Sequence, residues 1–385
     1  MSRYENDLLL IPGPTPMPPA VLRALSEPAY GHRTPQFSKN LESVTVRLRE
    51  VFGTDGDVIT LTASGTGGME AAIANVHSPG DKILVVEIGA FGQRWAEISE
   101  RYGLDVTTLG FEWGTAADPV AVDEALASSG AKSIAFTHNE TSTGVTNPTK
   151  AILEVANKHG ALSIIDAISG LMASELPMDA WGADIVVGGS QKAFAIPPGL
   201  AFVGMSERAW KATETATCPT FYFDLPAMRK SLGKWTTAYT GATTLVRALD
   251  VALDLLLTDG LEACIAAHHN RASAVRAAVK AMNLRLFPDE RVASDSVTAV
   301  LPPEGIEPDA MRKDLGKRFG IHLAGGQKSL QGRIFRIAHL GVIEPYQILG
   351  ALACLEITLR AHGHGGFEPG AGVAAAQAYF EGHQG

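Results

Sequence analysis

Short apolar runs alternate with amphipathic stretches over much of the chain. Residues 58–61, 83–86, 106–109, 133–136, 162–165, 185–187 and 200–203 each have the length and β-rich content of a single strand. Most are apolar throughout, and helical segments separate many of them. Strands buried on both faces and joined by crossovers predict a largely parallel sheet in an α/β domain. Several runs end in polar or Gly-rich turns, at residues 64–68, 138–141, 166 and 190–192. Open α/β sheets bind ligands beyond the carboxyl ends of their strands, so these turns are expected to converge on one crevice.

The pattern changes after a long helical stretch at 243–257. Helical residues 265–282 then mix with strand-like runs at 296–301 and 334–337, and a last helix is expected at 373–380 after a Gly-rich stretch. The expected organisation is an extended arm over 1–20, a large α/β domain over 21–259 and a smaller α+β domain over 260–385. Pro12-Gly13-Pro14-Thr15-Pro16 forbids a helix in the arm. The apolar residues before it, 8–11, are expected to be buried, with another subunit as one candidate surface.

Composition narrows the function classes. The chain has 385 residues, 46% hydrophobic and 19% charged, with a formal charge of −9. No basic block or aromatic–basic stripe is present, which argues against nucleic acid as a partner. The three cysteines, Cys218, Cys264 and Cys354, are odd in number and far apart, so neither a disulfide framework nor a Cys-based metal site is expected. No apolar run approaches the roughly 20 residues of a membrane span. Residues 1–7 are polar and charged without a signal-peptide pattern, and a cytoplasmic location is expected.

Candidate chemistry concentrates at the strand ends. Lys192 lies in GGSQKAF (188–194), directly after the apolar run 185–187. A lysine at the end of a buried strand is costly unless it has a role. Desolvation lowers its pKa and suits it to condense with a carbonyl; a solvated lysine on a turn is the alternative. Asp166 closes the run 162–165 and precedes the lysine by 192 − 166 = 26 residues, room for one crossover step. Pyridoxal phosphate (PLP) needs an acid at its pyridinium nitrogen, whereas an Asp in this position otherwise caps the next helix. Together the two residues favour a PLP site; neither does so alone.

Further residues join this pair. Ser64-Gly65-Thr66-Gly67-Gly68 follows a strand and opens a helical pattern. Glycine backbone admits a phosphate closely, the helix N-terminus supplies N–H groups, and Thr66 adds a hydroxyl. Glu70 stands where a dinucleotide fingerprint needs its third glycine, and no P-loop lysine follows. Phe91 suits a flat ring or a packed core. Thr141 suits a phenolic oxygen or simple turn capping. Arg336, within the apolar strand pattern IFRIA (334–338), needs a buried anion: a substrate carboxylate or a structural salt bridge. His339 beside it reads as structural.

The combined motifs IPGPTP (11–16), GHRTPQF (31–37), SGTGGMEA (64–71), FGQRW (91–95), THNETSTGV (137–145), DAISG (166–170), GSQKAFAIPPG (189–199) and FRIAHLG (335–341) cover nearly the whole chain. Their set resembles the class V aminotransferases of PLP fold type I, in the alanine/serine–glyoxylate and serine–pyruvate branch. The resemblance implies a large domain with a mostly parallel mixed sheet between helices, a smaller C-terminal α+β domain, and a ping-pong transaminase acting on a small amino acid and a 2-oxo acid. It implies that Lys192 holds PLP covalently and shuttles the substrate proton, with Asp166 at the ring nitrogen. Phe91 would stack on the ring and Thr141 contact the phenolic oxygen. Thr66, Gly67, Gly68 and Gln191 would hold the phosphate, and Arg336 the substrate carboxylate. It further implies a homodimer with shared sites, in which Thr240 reaches the other subunit's phosphate cup. Tyr239 is displaced from the usual Tyr, and Phe91 stands where many relatives carry Trp or Tyr. Other readings remain: a lyase-type PLP reaction on the same fold, or a non-catalytic subunit. A desulfurase would need a cysteine on a mobile loop, and the candidate loop 324–332 has none.

Overall fold

The structure, a computed structural model, describes residues 7–383; the polar segment 1–6 lies outside the described residues. All seven expected strands form one sheet. Its order is Asp57–Thr62, Leu200–Met205, Ile185–Gly189, Leu162–Asp166, Ser133–Thr137, Lys82–Glu87, Asp105–Gly110. Leu200–Met205 runs antiparallel to both of its neighbours, and the remaining pairings are parallel. The three central strands Ser133–Thr137, Leu162–Asp166 and Ile185–Gly189 are buried at every residue, as strands covered by helices on both faces must be. The strand at 106–109 departs from the expected burial. Asp105–Gly110 is the edge strand and is largely exposed, which explains its two polar residues Thr107 and Thr108.

Helices flank this sheet. In Pro35–Phe52 the buried positions Phe37, Leu41, Val44, Leu48, Val51 and Phe52 recur at helical spacing. Thr34 caps the start by accepting from the Phe37 N–H, and Gly53 ends it in the left-handed conformation, φ 59°. Helix Gly65–Val76 presses directly on the sheet. A Cβ on Gly68 would lie 2.8 Å from Val187 Cγ1 and 3.2 Å from Ala201 Cβ, so a side chain there would push helix and sheet apart.

A second sheet has the order Leu8–Leu10, Ile321–Gly325, Phe335–Ala338, Val297–Leu301, Arg285–Leu286. It packs with Leu261–Ala281, Pro308–Phe319, Pro345–Ala361 and Ala371–Gly382 around a separate hydrophobic core. The apolar part of the arm therefore finds its cover within its own chain. Leu8–Leu10 pairs in parallel with Ile321–Leu323, and Leu10 enters the second core. The long helix Leu261–Ala281 bridges the two cores: Leu261 and Cys264 pack on the first, Val275 and Val279 in the second.

Gly68→Ala is expected to destabilise the cofactor-free protein by about 1–3 kcal/mol, the usual cost of overpacking. Urea denaturation measures it; an unchanged midpoint would show that this helix is free to move off the sheet.

Candidate active site

The register of the large sheet sets Asp166 opposite Val187, and Lys192 follows that neighbouring strand after a short turn. Both side chains thus leave the carboxyl ends of adjacent parallel strands, near enough for each to shift the other's pKa. The backbone of the arm closes over the lysine. Lys192 Nζ donates to the Pro12 carbonyl, and Thr15 Oγ1 donates to the Lys192 carbonyl at 2.9 Å. A Cβ on Gly13 would stand 3.1 Å from Nζ and 2.8 Å from the Gln191 carbonyl, at φ +124°, so glycine is required for the close approach.

Burial dominates the electrostatics. Lys192 keeps some exposure along its length, but its amine is enclosed, and desolvation brings that amine down to about 8. The positive charges of Arg336 and Arg94 favour the fall, and Asp166 opposes it. Asp166 is raised to about 7, chiefly by burial and further by Glu140, against a 2.9 Å hydrogen bond from the Ile168 N–H. That bond serves the tight turn after the strand; no regular helix begins there for Asp166 to cap. An amine titrating near 8 is partly neutral at pH 7 and therefore nucleophilic.

The other candidate residues gather around this pair. Thr141 is buried, with Oγ1 2.6 Å from Ser169 Oγ. Arg336 is 4% exposed, and its partners are neutral oxygens: the Gly325 carbonyl at 2.9 Å, the Thr141 carbonyl at 2.7 Å and Gln327 Oε1 at 3.5 Å. Among the described residues, the salt-bridge alternative for Arg336 thus finds no carboxylate in contact. Burial lowers its guanidinium to about 10. Phe91 occupies the first turn of helix Ala90–Arg101, part-buried, with the Arg94 guanidinium 4.7 Å above its ring. Arg94 Nη1 also donates to Thr66 Oγ1 at 3.0 Å and so ties Phe91 to the glycine turn. There Gly67 and Gly68 both donate to the Ser64 carbonyl, at 2.8 and 3.3 Å, while no side chain caps the helix start.

Among the described residues, Thr240 makes no hydrogen bond to this group. It is exposed, in a segment where Tyr239 donates to the Phe221 carbonyl at 2.8 Å and stacks on Tyr222. A cleft of about 1430 Å³, bordered by Thr149, Glu175 and Arg291, lies apart from Lys192, Asp166 and Arg336. Sequence reasoning missed Glu140, Arg94, Ser169 and the Pro12 carbonyl. Arg94 carried a signal, since it sits three residues after Phe91 on a helix and must share its face.

The family model "Aminotransferase class-V" matches residues 8–343. The chain belongs to the class V aminotransferases. It is 45% identical to the "Soluble hydrogenase 42 kDa subunit" of Anabaena cylindrica, over 97% of this chain and 98% of that one. It is 36% identical to the L-aspartate–glyoxylate aminotransferase of Paracoccus denitrificans (97% and 96% covered) and to the serine–glyoxylate aminotransferase of Hyphomicrobium methylovorum (97% and 94%). The crystal structure of the Bacillus subtilis ureidoglycine–glyoxylate aminotransferase superposes with a TM-score of 0.93, at 34% identity, covering 98% of this chain and 99% of that one. The fold is therefore PLP fold type I, and the cofactor of this aminotransferase family is pyridoxal 5′-phosphate.

The residues present fit that cofactor. The helix start at Gly65 has free N–H capacity for a phosphate, with no side chain capping it. A protonated ring nitrogen supplies the positive charge that returns a carboxyl raised to about 7 toward its ionised form.

The two pKa shifts fix a pH dependence for the cofactor-free protein. Asp166 is raised above its usual 3.8, so the stability it contributes is complete below pH 3.8 and lost as pH rises to about 7. Lys192 is depressed from 10.5 to about 8, so its contribution is complete above pH 10.5 and lost as pH falls to about 8. Their joint contribution is lowest between pH 7 and 8. Asp166→Asn is expected to flatten the acid limb and Lys192→Met the alkaline limb of melting temperature against pH; unchanged slopes would contradict the burial of these groups.

Proposed function

We propose that this class V aminotransferase moves the amino group of a small L-amino acid, serine or alanine, to a 2-oxo acid, glyoxylate or pyruvate, in a ping-pong cycle. Arg336 carries the reading. It is a buried guanidinium with only neutral partners, bonded to the Thr141 carbonyl and felt electrostatically at Lys192. Such a group is completed by a ligand carboxylate held in a bidentate fork. The glyoxylate-linked names of several relatives support the acceptor, and the serine–glyoxylate aminotransferases among them support a small donor, beside one relative named for aspartate. The second arginine felt at Lys192, Arg94, is already engaged by the Phe91 ring and Thr66 Oγ1, which favours a donor without a side-chain carboxylate.

Bound PLP supplies an electron sink for charge developing at the donor's Cα. Lys192 anchors the cofactor and then takes and returns the Cα proton, a task suited to an amine held near 8. Asp166 holds the proton on the ring nitrogen. Phe91 covers the ring, and Thr141 binds the phenolic oxygen. Thr66, Gly67, Gly68 and Gln191 hold the phosphate. We assign Thr240 to the same cup across a homodimer, a role consistent with its exposure and with the 80% exposed Phe221 nearby. The hydrogenase-subunit name of the Anabaena cylindrica protein favours a second reading, a non-catalytic subunit.

An absorbance scan separates the two. Protein reconstituted with PLP is expected to show a visible band that shifts on adding L-serine or L-alanine; a colourless protein supports the subunit reading. Lys192→Ala is expected to abolish the band and lower turnover by roughly 10³-fold, within the range of acid–base catalysis. Arg336→Ala is expected to keep the band and raise the donor KM by roughly 10–100-fold, the worth of charged hydrogen bonds. An unchanged KM would remove the carboxylate assignment. A matrix of serine, alanine and aspartate against glyoxylate and pyruvate identifies the preferred pair, and a preference for aspartate would overturn the small-donor reading.

A further inference from the structure

Glu140 is fully buried, lies outside every role assigned above, and bonds to two segments that carry cofactor contacts. Its Oε2 accepts from the Phe91 N–H at 3.0 Å and the Gly92 N–H at 3.2 Å. Its Oε1 accepts from the Ser142 N–H at 3.1 Å and the Ser142 hydroxyl at 2.5 Å. Ser142 Oγ in turn accepts from the Ala90 N–H at 2.9 Å. Three consecutive amides at the start of helix Ala90–Arg101 are thus clamped to the turn that presents Thr141. The fit leaves no slack: a Cβ on Gly89 would lie 2.5 Å from Glu140 Cγ, from its Cδ and from Ser142 Oγ.

Four donors converge on this one carboxyl and none of its bonds needs a proton of its own, the pattern of a carboxylate, although burial pushes its pKa upward. A carboxylate at a helix N-terminus also matches the positive end of the helix dipole. A merely structural cap needs only one oxygen on the helix. Here the second oxygen is spent on the residue after Thr141, so the height of the Phe91 ring and the reach of the Thr141 hydroxyl are fixed by the same group.

We propose that Glu140 is a positioning residue that sets Phe91 and Thr141 in register with each other on either side of the cofactor ring. The inference rests on the roles given to those two residues above. Glu140→Gln keeps the shape of the side chain but faces a donor amide with its own N–H₂, so one half of the clamp must open. Titration of the cofactor-free variant with PLP, followed by tryptophan fluorescence, is expected to show affinity lowered on the order of tenfold, the scale on which a lost supporting contact misplaces a site. The visible circular dichroism of the bound cofactor, which reports how rigidly its ring is held, is expected to fall by about half. At saturating PLP the donor KM is expected to stay within about threefold while kcat falls about tenfold.

Equal PLP affinity and equal dichroism in the variant and the parent would overturn the proposal. So would a donor KM that rises as steeply as kcat falls, because that marks general loosening of the site. Ser142→Ala, which removes only the hydroxyl that joins Glu140 to Ala90, covers the case in which Glu140→Gln does not fold. It is expected to weaken PLP about threefold with a smaller loss of dichroism, and no change in either would equally overturn the proposal. A parent protein that binds no PLP would overturn the underlying cofactor reading, and this inference with it.

Discussion

Two ionisable side chains held out of water at the ends of adjacent strands govern the rest of the architecture. A buried amine and a buried carboxyl each cost free energy when charged, and neither finds a full salt-bridge partner in the other. The fold meets this cost with backbone. The arm's carbonyl receives the lysine, an amide of the turn receives the aspartate, and the strands beneath are fully covered. What remains uncompensated is a cationic pocket with a proton balance near neutrality, a pocket made for an anionic, proton-bearing ring.

Around that pair the polar groups form layers. Arg94 stacks on Phe91 and bonds Thr66. Ser169 links Thr141 to Asn139, at 2.6 and 2.8 Å. Arg336 comes from the second sheet and reaches the Thr141 carbonyl in the turn that lies beyond strand Ser133–Thr137 of the first. The two halves of the chain therefore meet through a side chain that has charge to spare, and a carboxylate ligand would sit at their seam.

Much of the large sheet is legible in the sequence because its strands are buried on both faces and so read as unbroken apolar runs. Residues 162–165 and 185–187 reveal in this way where Asp166 and Lys192 stand. The edge strand Asp105–Gly110 is less legible, since one partner and a solvent-facing edge relax the demand for apolar residues. The arm's strand pairing escapes sequence reasoning altogether, because three apolar residues match any sheet edge of suitable shape. Glu140 is hard to read for a related reason: its neighbours in NETSTG look like turn formers, and only the folded chain shows an acid there accepting from a distant helix. Thr240 is exposed in the folded chain, and its suggested target in another subunit is a matter for the oligomer.

The pairing of Leu8–Leu10 with Ile321–Leu323 has a consequence for the order of folding. The segment that carries the Pro12 carbonyl docks on an edge 321 − 8 = 313 residues further along the chain. The large sheet pairs strands within residues 57–205 and needs no contact from that segment, which covers the lysine separately. Loop closure over such a sequence distance is slow relative to local folding. The cover over the reactive amine therefore depends on a contact between segments more than 300 residues apart, and the pocket is finished only when those two segments have met.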